Sequence, residues 1–227
     1  MGCRRRVISG LNWVFSIVEE AIILEDDCLP DPSFFLYCAD LLARYRNRPQ
    51  VSMISGFNAL EKDFPFEFSY YYSLLYHVWG WATWRRAWSQ YDERLSAWPE
   101  IKKTGMLYEL FPRKDFVVHW TQIFDGMHAG TGPNTWDYQW VYTCWMRNWL
   151  SVVPSRNLVQ NIGFGADATH TRKPDAIQTL PAGSVRFPLT HPPAITAWTE
   201  FALQVQRQIY TPDIPTRIVR KIKSRLR

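Results

Sequence analysis

Ala21-Ile22-Ile23-Leu24 is an uninterrupted apolar run that stops against three consecutive acids, Glu25-Asp26-Asp27. A short run without polar alternation is the pattern of a strand buried on both faces, as in sheets covered by helices. Asp31-Pro32 follows as N-cap and first helical residue. Phe34, Phe35, Cys38, Leu41, Leu42 and Tyr45 then recur at helical spacing, Arg44, Arg46 and Arg48 gather near the C-terminal end, and Pro49 stops the helix. Residues 51–55 form the next strand, closed by Gly56. A strand–helix–strand unit of this kind builds doubly wound α/β sheets.

The middle of the chain reads differently. Residues 68–76 are aromatic and strand-like, and they run through His77-Val78-Trp79-Gly80-Trp81-Ala82-Thr83-Trp84 into a helix predicted over 85–91. Helical patterning returns over 116–127. Gly130-Thr131-Gly132-Pro133 forms a loop ahead of a further helix with Trp136, Trp140, Cys144 and Trp145 on one face. A strand is predicted over 151–154 and a polar, glycine-bearing loop over 157–171. The proline-rich stretch 172–216 reads as irregular structure wrapping the surface. From 214 onward, Ile218, Val219, Ile222 and Leu226 alternate with bases as in a short amphipathic helix. The chain thus divides into one α/β domain over 1–213 and a basic tail over 214–227.

Composition narrows the function classes. Of 227 residues, 47% are hydrophobic and 21% charged, the balance of a core-forming protein, and 36 are aromatic. The net charge of +5 is carried by the ends: residues 7–216 hold 17 bases against 21 acids. A mildly acidic body argues against nucleic acid as a partner. The basic tail suits peripheral contact with an anionic membrane surface, or solvation. Cys3, Cys28, Cys38 and Cys144 form no C-x-x-C pair, which points to free thiols in a reducing, cytoplasmic setting, with Cys28 and Cys38 as small core side chains. Asn12 and the pair Glu19-Glu20 break the resemblance of residues 7–18 to a signal peptide, and no apolar stretch reaches membrane-spanning length.

Ligands in open α/β sheets bind beyond the C-terminal ends of strands. Three adjacent carboxylates there repel one another until something positive neutralises them, and oxygen ligands suit a hard ion such as Mg²⁺ or Mn²⁺. The alternative is a solvated acidic turn. A single acid in the 136–140 segment, Asp137, stands near a helix start, where it serves either as a general base or as a cap favoured by the helix dipole.

The run Ile22-Ile23-Leu24-Glu25-Asp26-Asp27-Cys28-Leu29-Pro30-Asp31-Pro32-Ser33-Phe34-Phe35 resembles the metal-binding segment of GT-A-fold glycosyltransferases, closest to the N-acetylglucosaminyltransferase I-like branch and similar bacterial sugar transferases. Gly80-Trp81 with Trp84, Trp136-Asp137 and the 161–170 loop follow in the family's order. The resemblance implies a Rossmann-like mixed sheet flanked by helices. It also implies that this chain lacks the first nucleotide-binding strands and binds sugar nucleotides weakly, since too few residues precede the acidic motif to hold them, and that residues 4–9 belong to the helix leading to the acidic strand.

By the same resemblance Asp27 ligates Mn²⁺ or Mg²⁺, while Glu25 and Asp26 contact the nucleotide's ribose or the metal's waters. Asp137 is the general base. Trp79, Gly80 and Trp81 wall the sugar, or are core aromatics, and His170 meets the diphosphate, or is structural. The implied activity is transfer of a sugar, with inversion, from a nucleotide-diphosphate donor to a saccharide, lipid-linked or protein acceptor. The alternatives are a non-catalytic sugar-nucleotide- or carbohydrate-binding relic and a divalent-metal phosphohydrolase. A glycosidase, which needs two carboxylates flanking the bond, fits less well.

Overall fold

The structure, a computed structural model, describes residues 2–60, 65–163 and 180–207. Helix α1 (Cys3–Ile17) leads directly into strand β1 (Glu20–Ile23); it includes residues 4–9, where the resemblance implies a helix, and continues eight residues beyond them. It docks through Ile8, Leu11 and Phe15, which recur at helical spacing and are buried. A three-residue strand, β2 (Cys28–Pro30), precedes α2 (Ser33–Tyr45) and β3 (Val51–Ser55). Asp31 caps α2 as expected: its Oδ1 accepts hydrogen bonds from the Ser33 amide (2.9 Å) and hydroxyl (2.6 Å), while Pro32 already has helical dihedrals.

The remaining elements are β4 (Tyr70–Ser73), β5 (Trp81–Trp84), α3 (Arg85–Trp88), α4 (Trp98–Thr104), α5 (Met106–Leu110), α6 (Lys114–His128), α7 (Asp137–Met146), β6 (Leu150–Pro154), β7 (Val159–Asn161) and α8 (Thr199–Val205). Five strands form a mixed sheet in the order β1-β5-β3-β6-β4, and β2 pairs with β7 in a two-stranded antiparallel sheet. Strands β3 and β6 are parallel, and the other pairings are antiparallel. The chain is therefore α/β, with a mixed sheet flanked by helices.

The strand–helix–strand unit of the sequence is present, but its strands are not neighbours, and β1 is a half-buried edge strand rather than one buried on both faces, because only β5 pairs with it. β1 and β3 run in the same direction with β5 wedged antiparallel between them. Trp81 faces one layer with Met53, while Ala82 and Trp84 face the other with Ile54. Helix α2 covers that second face through Phe34, Tyr37, Cys38, Leu41, Leu42 and Tyr45. Helices α1, α3 and α4–α7 cover the first, where Trp81, Trp88, Trp120, Trp136, Trp140 and Trp145 pack. Ser52 is the extra residue of a bulge, since Val51 and Met53 pair with the consecutive residues Leu150 and Ser151. That is why Val51 and Ile54, three apart, reach the same core.

Within the stretch expected to be irregular, α8 is helical, and residues 180–198 run as expected along the β4 edge. Ser69 and Thr190 exchange backbone and hydroxyl hydrogen bonds, and the Tyr70 hydroxyl meets His191 Nδ1 at 2.9 Å. The expected basic tail over 214–227 lies outside the described residues, as does His170. No helix among the described residues is long and apolar enough to cross a membrane.

Candidate active site

Strand β1 ends where its partner begins. Ile23 pairs with Trp81, the first residue of β5, and the preceding Gly80 turns away with φ +63°. A Cβ on Gly80 would lie 2.6 Å from Val159 Cγ2 and 3.2 Å from Leu24 Cδ2, so glycine is required both for the dihedral and for the close approach. Freed from the sheet, Glu25, Asp26 and Asp27 form a turn closed by the Cys28 amide donating to the Glu25 carbonyl (3.1 Å). Glu25 and Asp27 are half-buried and Asp26 is exposed. The acids thus stand at the C-terminal end of a sheet strand, where the sequence put them.

Asp27 is fixed from below. The register Cys28↔Asn161 of the β2–β7 pair carries the chain beyond β7 past Asp27, and the Ile162 amide donates to the Asp27 carbonyl at 2.8 Å. Gly163 follows so closely that a Cβ there would lie 2.3 Å from Asp27 Oδ2. The Cys28 thiol sits 3.6 Å from Asp27 Oδ1. Burial, reinforced by the charges of Asp27 and Glu25, pushes that thiol up to about 12, so it stays protonated and unreactive at neutral pH. Cys28 is thus half-buried beside the acids and packs at the margin of the core that holds Cys38, Cys38 and Cys144 are buried, and all four cysteines are free.

Asp137 reaches the same place from α7. It is the first residue of that helix, and its Oδ1 accepts a hydrogen bond from the Thr135 hydroxyl. The residue before it is the hinge of the site. Trp136 is buried, stacks on Trp81 (5.4 Å between centroids, 19° between planes), and extends its indole N–H to Glu25 Oε1 at 3.4 Å. The Tyr91 hydroxyl donates to its carbonyl at 3.0 Å. Burial first, and then the charges of Asp27, Asp137 and Asp26, raise the Glu25 carboxyl above its ordinary value against the opposing effect of the Trp136 indole. None of the four acids has an ion-pair partner among the described residues.

The N-terminus of α1 completes the wall. A Cβ on Gly2 would meet Asn134 Nδ2 at 2.2 Å, and the exposed Cys3 thiol is raised by desolvation and by the charges of Glu25 and Asp137. Nothing in the sequence marks Cys3 as a neighbour of these acids, because only the docking of α1 brings it there.

The expected sugar wall divides. Gly80 makes its close approach to Leu24 and Val159. Trp79 is half-buried, edge-on to Phe57 at 4.7 Å. Trp81 is fully buried under Trp136 and beside Trp88 and Trp140, so it supports the site from within the core.

Among the described residues no three or more His, Cys, Asp or Glu side chains converge as a metal-binding group. The donor chemistry nonetheless fits a hard dication that enters with a diphosphate, since such an ion takes one or two protein carboxylates and completes its shell with phosphate oxygens and water. The unneutralised charge pressing on Glu25 is what such an ion would relieve. In comparisons with protein-family models and with curated proteins, no family model and no curated protein matches this sequence.

Proposed function

We propose that the protein is a divalent-metal-dependent glycosyltransferase of the GT-A type, moving a sugar from a nucleotide-diphosphate donor to a hydroxyl acceptor with inversion. The observation that carries this reading is the meeting of two acidic groups from distant parts of the sequence. Glu25 and Asp27 come from the end of β1 and Asp137 from the start of α7, and the charges of Asp27 and Asp137 both help to raise the Glu25 carboxyl, which also accepts the Trp136 indole N–H.

In this reading the roles follow from position. Asp27, held by Ile162 and Gly163, anchors the diphosphate end of the donor with Mn²⁺ or Mg²⁺, which when bound offsets the negative charge that grows on the departing nucleoside diphosphate. Glu25 and Asp26 face the ribose or bound water. Asp137, steadied by the Thr135 hydroxyl, accepts the proton of the acceptor hydroxyl. The acceptor oxygen then bonds to the anomeric carbon from the face opposite the diphosphate, which leaves with the electron pair of the breaking carbon–oxygen bond.

The test is release of nucleoside diphosphate from a panel of sugar nucleotides with and without Mn²⁺. Turnover is expected to need the ion and to fall by roughly 10²-fold or more in Asp27→Asn and in Asp137→Asn, the range typical for loss of a general base. Ion-independent release, or full activity in either variant, refutes the reading. Release of inorganic phosphate from simple phosphate esters would make it a phosphohydrolase, and donor binding without turnover would make it a non-catalytic relic.

A further inference from the structure

A second hollow opens at the same end of the sheet as the acids but at its opposite edge. Ser155 and Arg156 follow β6, residues 67–69 precede β4, and residues 183–190 close the other wall around about 580 Å³. That volume lies within the range of small-molecule sites. The sheet order places the hollow beyond β3, three to four strand spacings from β1, or about 14–19 Å across the sheet from the acids.

Its walls are pinned. The Ser155 amide donates to the Ser69 carbonyl (2.9 Å), the Gly183 amide to the Asn157 carbonyl (2.7 Å), and the Thr190 amide to Ser69 Oγ (2.8 Å). Two exposed guanidiniums, Arg156 and Arg186, line this hollow, and neither has an ion-pair partner among the described residues. What sets this pair apart is convergence on one cavity: elsewhere Arg4, Arg46, Arg85 and Arg113 pair with acids and Arg86 donates to four carbonyls, whereas Arg156 and Arg186 line the same hollow without such a pair. Glu67 lines the hollow without an ion pair to either arginine, Ser155 and Ser184 add hydroxyls, and Phe68 adds a ring.

We infer that this hollow binds a saccharide bearing an anionic group, a carboxylate or a phosphate, with Arg156 and Arg186 clamping the charge. Two guanidiniums against the single carboxylate of Glu67 leave the lining net positive, which calls for an anion, and the planar guanidinium fork matches carboxylate and phosphate oxygens equally. The hydroxyls and Glu67 supply hydrogen bonds for a polyhydroxylated ring, and Phe68 offers an apolar surface for its C–H face. As the acceptor of the transferase, such a saccharide presupposes the reading above. As a ligand, it does not.

The experiment is ligand-observed NMR and calorimetry on the full chain with glucuronate, glucose 6-phosphate and glucose as probes. At least one acidic sugar is expected to bind roughly tenfold or more tightly than glucose and to weaken as salt shortens the screening length to about 3 Å. The better of the two acids identifies a uronate or a phosphosugar as the ligand class. Arg156→Ala and Arg186→Ala are each expected to weaken that binding severalfold with the thermal midpoint unchanged, because both side chains are exposed, while Asp137→Asn leaves it intact. Equal binding of glucose, absence of binding by both acids, or retained binding in the double arginine variant overturns the inference. Each of those outcomes leaves the Mn²⁺-dependent turnover test standing on its own.

Discussion

Lowering the pH removes stability through one imidazole. His77 lies in the segment joining β4 to β5, its ring half-buried and edge-on to Phe57 at 5.3 Å, and its carbonyl accepts from the Ser55 hydroxyl at 3.0 Å. Burial pushes the ring down to about 4 from an ordinary value of 6.5. In the unfolded chain the ring takes up a proton below about 6.5, whereas the folded protein resists until about 4, so the unfolded state binds more protons between those limits. Stability is therefore fully present above the unfolded value and drains away as the pH falls toward 4. The difference corresponds to about 3 kcal/mol, a ceiling because the ring is not fully enclosed. Glu25 acts in the opposite sense. Its raised carboxyl costs stability at neutral pH, and the cost is relieved as the pH falls through its folded value. A comparison of variants separates the two. Urea unfolding at pH 7, 5.5 and 4.5 is expected to show wild-type stability falling more steeply than that of His77→Gln, which lacks the titrating ring. Parallel curves for the two proteins would refute the assignment.

Two glycines give sharper local tests. Gly80→Ala places a side chain at φ +63° and 2.6 Å from Val159 Cγ2, and is expected to cost about 2–4 kcal/mol from the left-handed dihedral and overpacking together, measured by denaturant unfolding. Gly163→Ala drives a methyl onto the Asp27 carboxylate, so Mn²⁺-dependent turnover is expected to fall well beyond any change in thermal midpoint. Wild-type turnover in that variant would separate Asp27 from the chemistry.

Elements with a strong period of their own were readable in the sequence. Helix α2 carried its cap, apolar stripe and proline stop, and α6 and α7 carried aromatic stripes, so all three lie within a few residues of where the pattern put them. β5 had no such period. Trp81 and Thr83 face one layer, Ala82 and Trp84 the other, and all four are buried, so no polar alternation marks the strand. Its wedging between β1 and β3 is a long-range pairing that local patterning does not encode. The three-residue strands β2 and β7 are too short to show a period at all. Helix α4 did carry signals, a proline in its first turn and Gly105 at φ +74° beyond its end, but only Trp98 among its residues is buried, which leaves no apolar stripe to flag it.

The acids were legible for a different reason: Glu25, Asp26 and Asp27 are contiguous, so a strand's end delivers all three together. Their relation to Asp137 depends instead on tryptophan packing. Trp81 pairs with Ile23, two residues before Glu25, and stacks on Trp136, the residue before Asp137. One ring–ring contact therefore sets the spacing between the two acidic groups. Trp81 and Trp136 are also held by Trp88 and Trp140, so that spacing is part of the core rather than of a loop. In the sequence Gly80-Trp81 and Trp136-Asp137 read as two separate motifs, the first as a wall for a sugar or core aromatics and the second as the site of a general base or a helix cap. In the folded chain the two indoles lie against each other, so one contact of the core ties the strand that leads to Glu25 to the residue before Asp137.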